Sequence, residues 1–339
     1  NDNLMSNIFI RDDSNTFSNL TSGSSKNDDT TIIAKTGYVD NKKMILFDGI
    51  IQNKNIEQIT KHVENIEIKP FYHLNEQKYS AKFPIFSENF QLIDARDKNA
   101  NKIALEALHN GITGICFTHP VNLSSLLKGI HTEYIQINFS NYDKNFLEEL
   151  EEFIVKKKIH GAIHGKEKII SKEIINTIIV PAVSFKEQIQ FAFIEGVKFK
   201  SKVQFKFTIR SNFFMEIAKL RAFRILWEHK TGTEAYILSS TSIINKAEKD
   251  NYNNISKTTT EYLSAQFGGS DAILINSFNV NYEKANKFSD RITRNQFEIF
   301  KKESYLDKVT DPLKGSYYIE YLTNQFLKDY KIAPEEIKK

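Results

Sequence analysis

The sequence predicts an α/β chain built around a closed (β/α)8 barrel, and three observations carry that expectation. From about residue 90 onward, eight short runs rich in β-branched and aromatic residues alternate with longer segments of helical period. No tandem hairpins interrupt the alternation, so successive strands need crossover connections and a parallel sheet. Eight such units in one chain of this length suit a closed barrel. An open doubly wound sheet would instead ask for a Gly-rich GxGxxG turn after an early strand, and none is present.

The expected strands, in order, are FQLID (90–94), GITGICF (111–117), YIQINFS (134–140), HGAIHG (160–165), NTIIVPA (176–182), VQFKFTI (203–209), AYILSST (235–241) and DAILINSF (271–278). Between them, helical spacing of apolar residues marks NKIALEALHNG (101–111), KNFLEELEEFIVKK (144–157) and SFKEQIQFAFIEG (184–196). It continues with FFMEIAKLRAFRILW (213–227), TTTEYLSAQFGG (258–269) and FSDRITRNQFEIFKKES (288–304). Gly111 is placed to end the first helix, and Gly268-Gly269 reads as a turn before the eighth strand. The helix at 213–227 is apolar on every side yet carries Glu216, Lys219, Arg221 and Arg224, so it is expected to be buried with its charges paired.

Ahead of the barrel, residues 1–31 are rich in Asn, Asp, Ser and Thr and have few apolar anchors, so alone they cannot offset the entropy of ordering. Two short strands fit IIAKTGYVDNKKMILFDGI, and one helix fits NIEQITKHVENI. The chain therefore divides into a partly mobile or partner-binding extension, 1–66, and a barrel, 67–339.

The 339 residues are 40% hydrophobic and 26% charged, the balance of a globular protein, and the net charge of +4 is too mild and too scattered for nucleic-acid binding. Cys116 is the one cysteine, which rules out an intrachain disulfide and suits a reducing cytoplasm; in its apolar run it reads as a buried structural thiol. No apolar run approaches the roughly 18–20 residues that span a bilayer, and no charged-then-apolar leader is present, so neither a membrane nor export is expected.

Barrel chemistry belongs at the C-terminal ends of the strands. There the sequence places Thr118-His119-Pro120, Ser140-Asn141-Tyr142, His164-Gly165-Lys166, Pro181 to Ser184, Thr208 to Asn212, Ser239-Ser240-Thr241 and Asn276-Ser277-Phe278. His119 and His164 are candidate bases or ligands, set against the alternative of structural histidines, since no carboxylate lies in the same stretches to orient either. No HxH, HExxH or carboxylate cluster suggests a metal, and no base stands near Ser239, Ser240 or Thr241 in sequence to activate a hydroxyl.

The helix at 213–227, followed by DNYNNISKTTTEYLSAQFGGSDAILINSF (250–278), RITRNQFEIFKKES (291–304) and VTDPLKGSYYIEYLTNQ (309–325), resembles the methylmalonyl-CoA mutase family in order and spacing. IEIKPFYH (66–73) and ALEALHNGITGICF (104–117) resemble the small, or beta, subunit of two-subunit bacterial mutases. The resemblance implies a cobalamin-dependent isomerase that interconverts methylmalonyl-CoA and succinyl-CoA, with the acyl-CoA enclosed by the barrel and adenosylcobalamin held by a flavodoxin-like domain. The departures fall on the chemistry. Where catalytic barrels carry Gly-Tyr-His after strand five, this chain reads PAVSF (181–185), and for His-Cys-Gln-Thr-Ser after strand seven it reads Leu238-Ser239-Ser240-Thr241-Ser242. The Arg-Gln-Tyr substrate motif, the DxHxxG motif and the cobalamin-binding domain are missing from the sequence.

The resemblance thus implies a small, non-catalytic subunit with no cofactor of its own, paired as a heterodimer with a catalytic large subunit that holds adenosylcobalamin. The alternative is an acyl-CoA-binding barrel, acting as substrate subunit to a separate cobalamin chain. Arg221 matches an arginine that catalytic relatives use near the CoA, and also suits a buried ion pair; both readings stand at this point.

Overall fold

The computed structural model describes residues 81–165, 171, 173–199, 201–248 and 252–330, together with the backbone of six short strands between residues 31 and 68. It divides into two units, residues 1–71 and 72–339. In the first, Thr31–Ala34 pairs antiparallel with Gly49–Gln52, Gly37–Val39 with Lys43–Ile45, and Lys61–Val63 with Ile66–Ile68. The helix expected over NIEQITKHVENI (55–66) is therefore replaced, over its described part, by the strand Lys61–Val63 and the first residue of its partner Ile66–Ile68. Ile66-Glu67-Ile68 alternates with a period of two, and its antiparallel pairing with Lys61–Val63 overrides the helical spacing of the residues before it. The polar stretch 1–30 lies outside the described residues, as does Lys166.

The second unit is a closed barrel of eight parallel strands, each hydrogen-bonded to the next in sequence and the last to the first. The strands are β1 (Glu88–Asp94), β2 (Gly114–Thr118), β3 (Gln136–Ser140), β4 (His160–His164), β5 (Ile174–Ile179), β6 (Val203–Ile209), β7 (Tyr236–Thr241) and β8 (Ala272–Leu274). From Asp94 the register runs through Thr118, Ser140 and His164 to Thr177; from Glu88 it runs the other way through Ala272, Leu238 and Lys206 to Ile179. The two paths miss one another by eight residues, the shear of a (β/α)8 barrel.

Among the described residues eight helices surround it: α1 (Ala100–His109), the single turn α2 (Leu123–Leu126), α3 (Lys144–Lys156), α4 (Phe185–Gly196), α5 (Phe213–Thr231), α6 (Asn253–Phe267), α7 (Lys287–Lys302) and α8 (Tyr317–Leu327). Local chemistry sets their ends. Asp143 and Asn212 accept from backbone N–H groups of the first turns of α3 and α5, Ser184 and Glu187 form a reciprocal capping box on α4, and Gly232 ends α5 in the left-handed conformation. Outward-facing Ile115, Phe117, Ile137 and Phe139 pack with Ala104, Phe146 and Leu150 of α1 and α3. Phe205 and Phe207 of β6 meet Phe223 and Trp227 of α5 edge-on, with ring centroids 4.7–5.2 Å apart.

Helix α5 is buried between the barrel and its neighbours α4, α6 and α8, and each of its four buried charges has a partner. Glu216 accepts from Lys219 and, at 2.9 Å, from the backbone N–H of Arg210; Lys219 also donates to Gln188 Oε1 at 2.9 Å. Arg221 bonds Asp311 and, at 3.2 Å, Glu320 of α8, while its guanidinium lies 4.6 Å from the Phe83 ring. Arg224 spans Gly269 O, Ala235 O at 3.0 Å and Asp271 Oδ2 at 2.6 Å, clamping the turn that feeds β8. The charges that looked out of place in an apolar helix are thus the bolts that fix its neighbours.

Candidate functional site

Alternation along the strands decides which side chains enter the lumen, and the register divides that lumen into two chemically different parts. Phe90, Cys116, Leu238, Ala272 and Leu274 form an apolar cluster on the β7–β8–β1–β2 side. Gly114 faces Phe90 so closely that an added Cβ would stand 2.4 Å from the ring, so glycine makes room for this plug. Below it, Tyr236 Oη donates to Gln136 Oε1 across the barrel at 2.5 Å. Burial, reinforced by Asp271, raises the Glu88 carboxyl beside them, against the nearby Tyr236 hydroxyl, which lowers it.

The β3–β6 side is polar. Gln204 Oε1 sits at the centre of a buried cluster, accepting from Asn138 Nδ2 at 3.2 Å and Thr177 Oγ1 at 3.0 Å, with His164 Nε2 also 3.2 Å away. Because that oxygen can only accept, the bond assigns the proton of His164 to Nε2 and leaves Nδ1 as a bare acceptor. Burial first, then the charge of Lys206, push the His164 pKa down to about 3, against the bond to Gln204 that raises it. The ring is therefore neutral at physiological pH and unsuited to general-base work near neutrality. The Tyr142 hydroxyl lies against Gly165, the next residue, where an added Cβ would meet it at 2.3 Å. Cys116 is fully buried and its thiol is raised by burial, opposed by Lys206 and by a bond with Ser140.

Solvent reaches into this mouth as far as Leu92, which is 41% exposed, and Ile179, which is 54% exposed, although both occupy lumen positions in their strands. At the rim, His119 adopts a left-handed backbone (φ 52°) and stands 3.7 Å from Asp94 through Nδ1. Arg96 grips Asp94 by both oxygens, at 2.6–3.2 Å, and this bond is the main reason that the carboxyl is held below the usual carboxylate range. Asp94 lies 25 residues before His119, so no local spacing pairs them; the parallel register of β1 and β2 is what brings them together.

Several other rim positions are committed to the fold. Ser184 after β5 caps α4, and Arg210 after β6 bonds Glu216 and lies 4.7 Å from the Phe185 ring. Ser239 Oγ pairs with Ser270 Oγ at 2.6 Å, outside the lumen, and Thr241 engages Asn276. Arg221 lies on α5 outside the barrel, 2% exposed, against Asp311 and Glu320. A cleft of about 590 Å³ on the outer face, lined by Glu106, Lys287, Phe288, Arg291 and Arg294, separates α1 from α7. Among the described residues no cluster of three or more His, Cys, Asp or Glu is placed to hold a metal, and no helix is long and apolar enough to cross a membrane.

A family model described as methylmalonyl-CoA mutase matches residues 173–339, which include β5 through β8 and α4 through α8. Over 128 residues the chain is 44% identical to the methylmalonyl-CoA mutase small subunit of Porphyromonas gingivalis, and 43% identical to the methylmalonyl-CoA mutase of Rhizobium meliloti. Residues 173–339 of the chain belong to the methylmalonyl-CoA mutase family. Each of those matches covers 35% of this chain, and 21% and 18% of the two relatives; a third, to the methylmalonyl-CoA mutase of Cereibacter sphaeroides, is 37% identical over 39% of this chain and 20% of that protein. The chain thus spans about a fifth of the mutase-family relatives it matches. The matched residues 173–339 include the buried charges of α5 and the partners that they fasten.

Proposed function

We propose that this chain is the small, non-catalytic subunit of a methylmalonyl-CoA mutase and that it stabilises a catalytic large subunit as a heterodimer. The observation that carries the reading is the fate of the rim. At the two places where the family resemblance expects a histidine and an amide, the chain has Ser184, spent on capping α4, and Ser240, a buried lumen position that carries a short hydroxyl in place of an amide. Preorganised donors aimed at a reacting carbonyl are worth about 2.7–4 kcal/mol each, and neither a capping serine nor a hydroxyl set back on the strand replaces a histidine and an amide that reach toward the substrate. The described residues do not fit adenosylcobalamin either. The buried imidazole of His164 is 4% exposed inside the lumen and bonded to Gln204 through Nε2, and a corrin ring is too wide to enter a barrel lumen and bring its cobalt to the ring. We assign the cofactor to the large subunit.

Co-elution on size-exclusion chromatography tests the pairing. The two chains, mixed at micromolar concentration, are expected to run as one species of 1:1 stoichiometry; separate elution would remove the proposal. A second reading, an acyl-CoA-binding barrel that serves a separate cobalamin chain, draws support from the solvent-reached polar side of the lumen. Calorimetric titration of the isolated chain with methylmalonyl-CoA separates the two, since only the second expects binding heat.

A further inference from the structure

The polar side of the lumen holds more hydrogen-bonding capacity than the fold consumes. Asn138, His164 and Gln204 are at most 4% exposed, yet Asn138 Oδ1, His164 Nδ1 and Gln204 Nε2 each lack a hydrogen-bond partner. Buried polar atoms are seldom left so, and three in one connected cluster mark a place where something polar is meant to sit. Lys206 enters the lumen two residues beyond Gln204, between Ile179 and Leu238 in the register. Its charge is felt by both His164 and Cys116, and among the described residues it has no carboxylate partner. A half-buried lysine beside an unpaired amide N–H pair, with two bare acceptors near by, is a complementary surface for an oxyanion whose neighbouring atom carries a proton.

We propose that the polar side of the barrel lumen binds a small 2-hydroxycarboxylate, with its carboxylate on Lys206 and the Gln204 amide and its hydroxyl donating to Asn138 or His164. The charge count fixes the class: one cation without a counter-charge takes one carboxylate. The acceptors Nδ1 and Oδ1 ask for a donor on the ligand, which a simple carboxylate such as acetate lacks. Phe90 over Gly114 limits the space toward the strand N-termini, so the ligand is compact, and it enters past Leu92 and Ile179. Ordered water alone would satisfy the three orphan atoms but would leave Lys206 without an anion.

The test uses the whole chain and glycolate as probe, with acetate and inorganic phosphate as comparisons, read by calorimetry and by ¹⁵N NMR of the histidine rings. Glycolate is expected to bind, acetate several-fold more weakly, and the His164 Nδ1 resonance to move as the hydroxyl engages the cluster. Lys206→Met removes an unpaired charge without opening a cavity, so the fold survives, and it is expected to weaken glycolate roughly tenfold or more. Asn138→Leu gives an independent variant that should erase the preference for glycolate over acetate while leaving Lys206 in place. No glycolate heat up to about 10 mM, binding indifferent to Lys206→Met, or phosphate bound in preference to both acids would each overturn the assignment, the first leaving water as the lumen's occupant.

Discussion

Replacing Glu216 by alanine should damage this molecule more than any surface change. Its carboxylate and the Lys219 ammonium are both fully buried, and the same carboxylate accepts from the Arg210 backbone where β6 turns into α5. Alanine leaves Lys219 buried with only Gln188 and, at 3.5 Å, Thr208 O as partners, and leaves the Arg210 N–H without its acceptor. Breaking one side of a buried pair costs about 3–5 kcal/mol, because the remaining charge is stranded. For a unit of this size that corresponds to a fall in Tm of roughly 6–20 °C. Trp227, the chain's one tryptophan, lies three turns further along the same helix and reports its loss by fluorescence during urea or thermal unfolding. The decisive comparison is the double variant Glu216→Leu with Lys219→Met, which removes both charges at similar volume and should recover most of the loss. If Glu216→Ala cost under about 1 kcal/mol, or if the double variant were no better than the single, the reading of α5 as a helix held by paired buried charges would be wrong.

Three further outcomes follow from the same structure. Gly114→Ala should destabilise by about 1–3 kcal/mol through its clash with the Phe90 ring, and Phe90→Leu in the same chain should relieve it; equal melting of single and double variants would refute the plug. His164 has a folded pKa pushed down to about 3, so the unfolded chain binds the proton more readily. Stability should be flat above about pH 7.5 and fall below the unfolded value near 6.5 toward pH 3 by up to about 1.4 kcal/mol per pH unit, and His164→Gln should flatten this slope in urea titrations at pH 7.5, 5.5 and 4.5. Arg221→Lys should lower the thermal midpoint by several degrees because an ammonium does not bridge Asp311 and Glu320 as a guanidinium fork does; an unchanged midpoint would free Arg221 from the structural role seen here.

The barrel was legible because its evidence is periodic: strands such as VQFKFTI alternate inward and outward residues, and all eight lie within a few residues of their expected places. Boundaries were less so. Helix α5 runs on to Thr231 and α6 begins at Asn253, where Asn, Ser and Thr conceal helical residues held by tertiary bonds such as Asn254 Nδ2 to Phe278 O. The site was largely hidden for a physical reason. Asn138, His164, Thr177 and Gln204 come from four strands and meet only through the shear of the closed sheet, as do Asp94 and His119 across β1 and β2. Cys116, expected to be a buried thiol, is one, but it faces the lumen rather than the helices.

Turnover by the isolated chain tests the central claim most directly. Purified protein given adenosylcobalamin and methylmalonyl-CoA, with no second subunit, is expected to form no succinyl-CoA above the protein-free control. Succinyl-CoA accumulating in proportion to the amount of this chain would contradict the account.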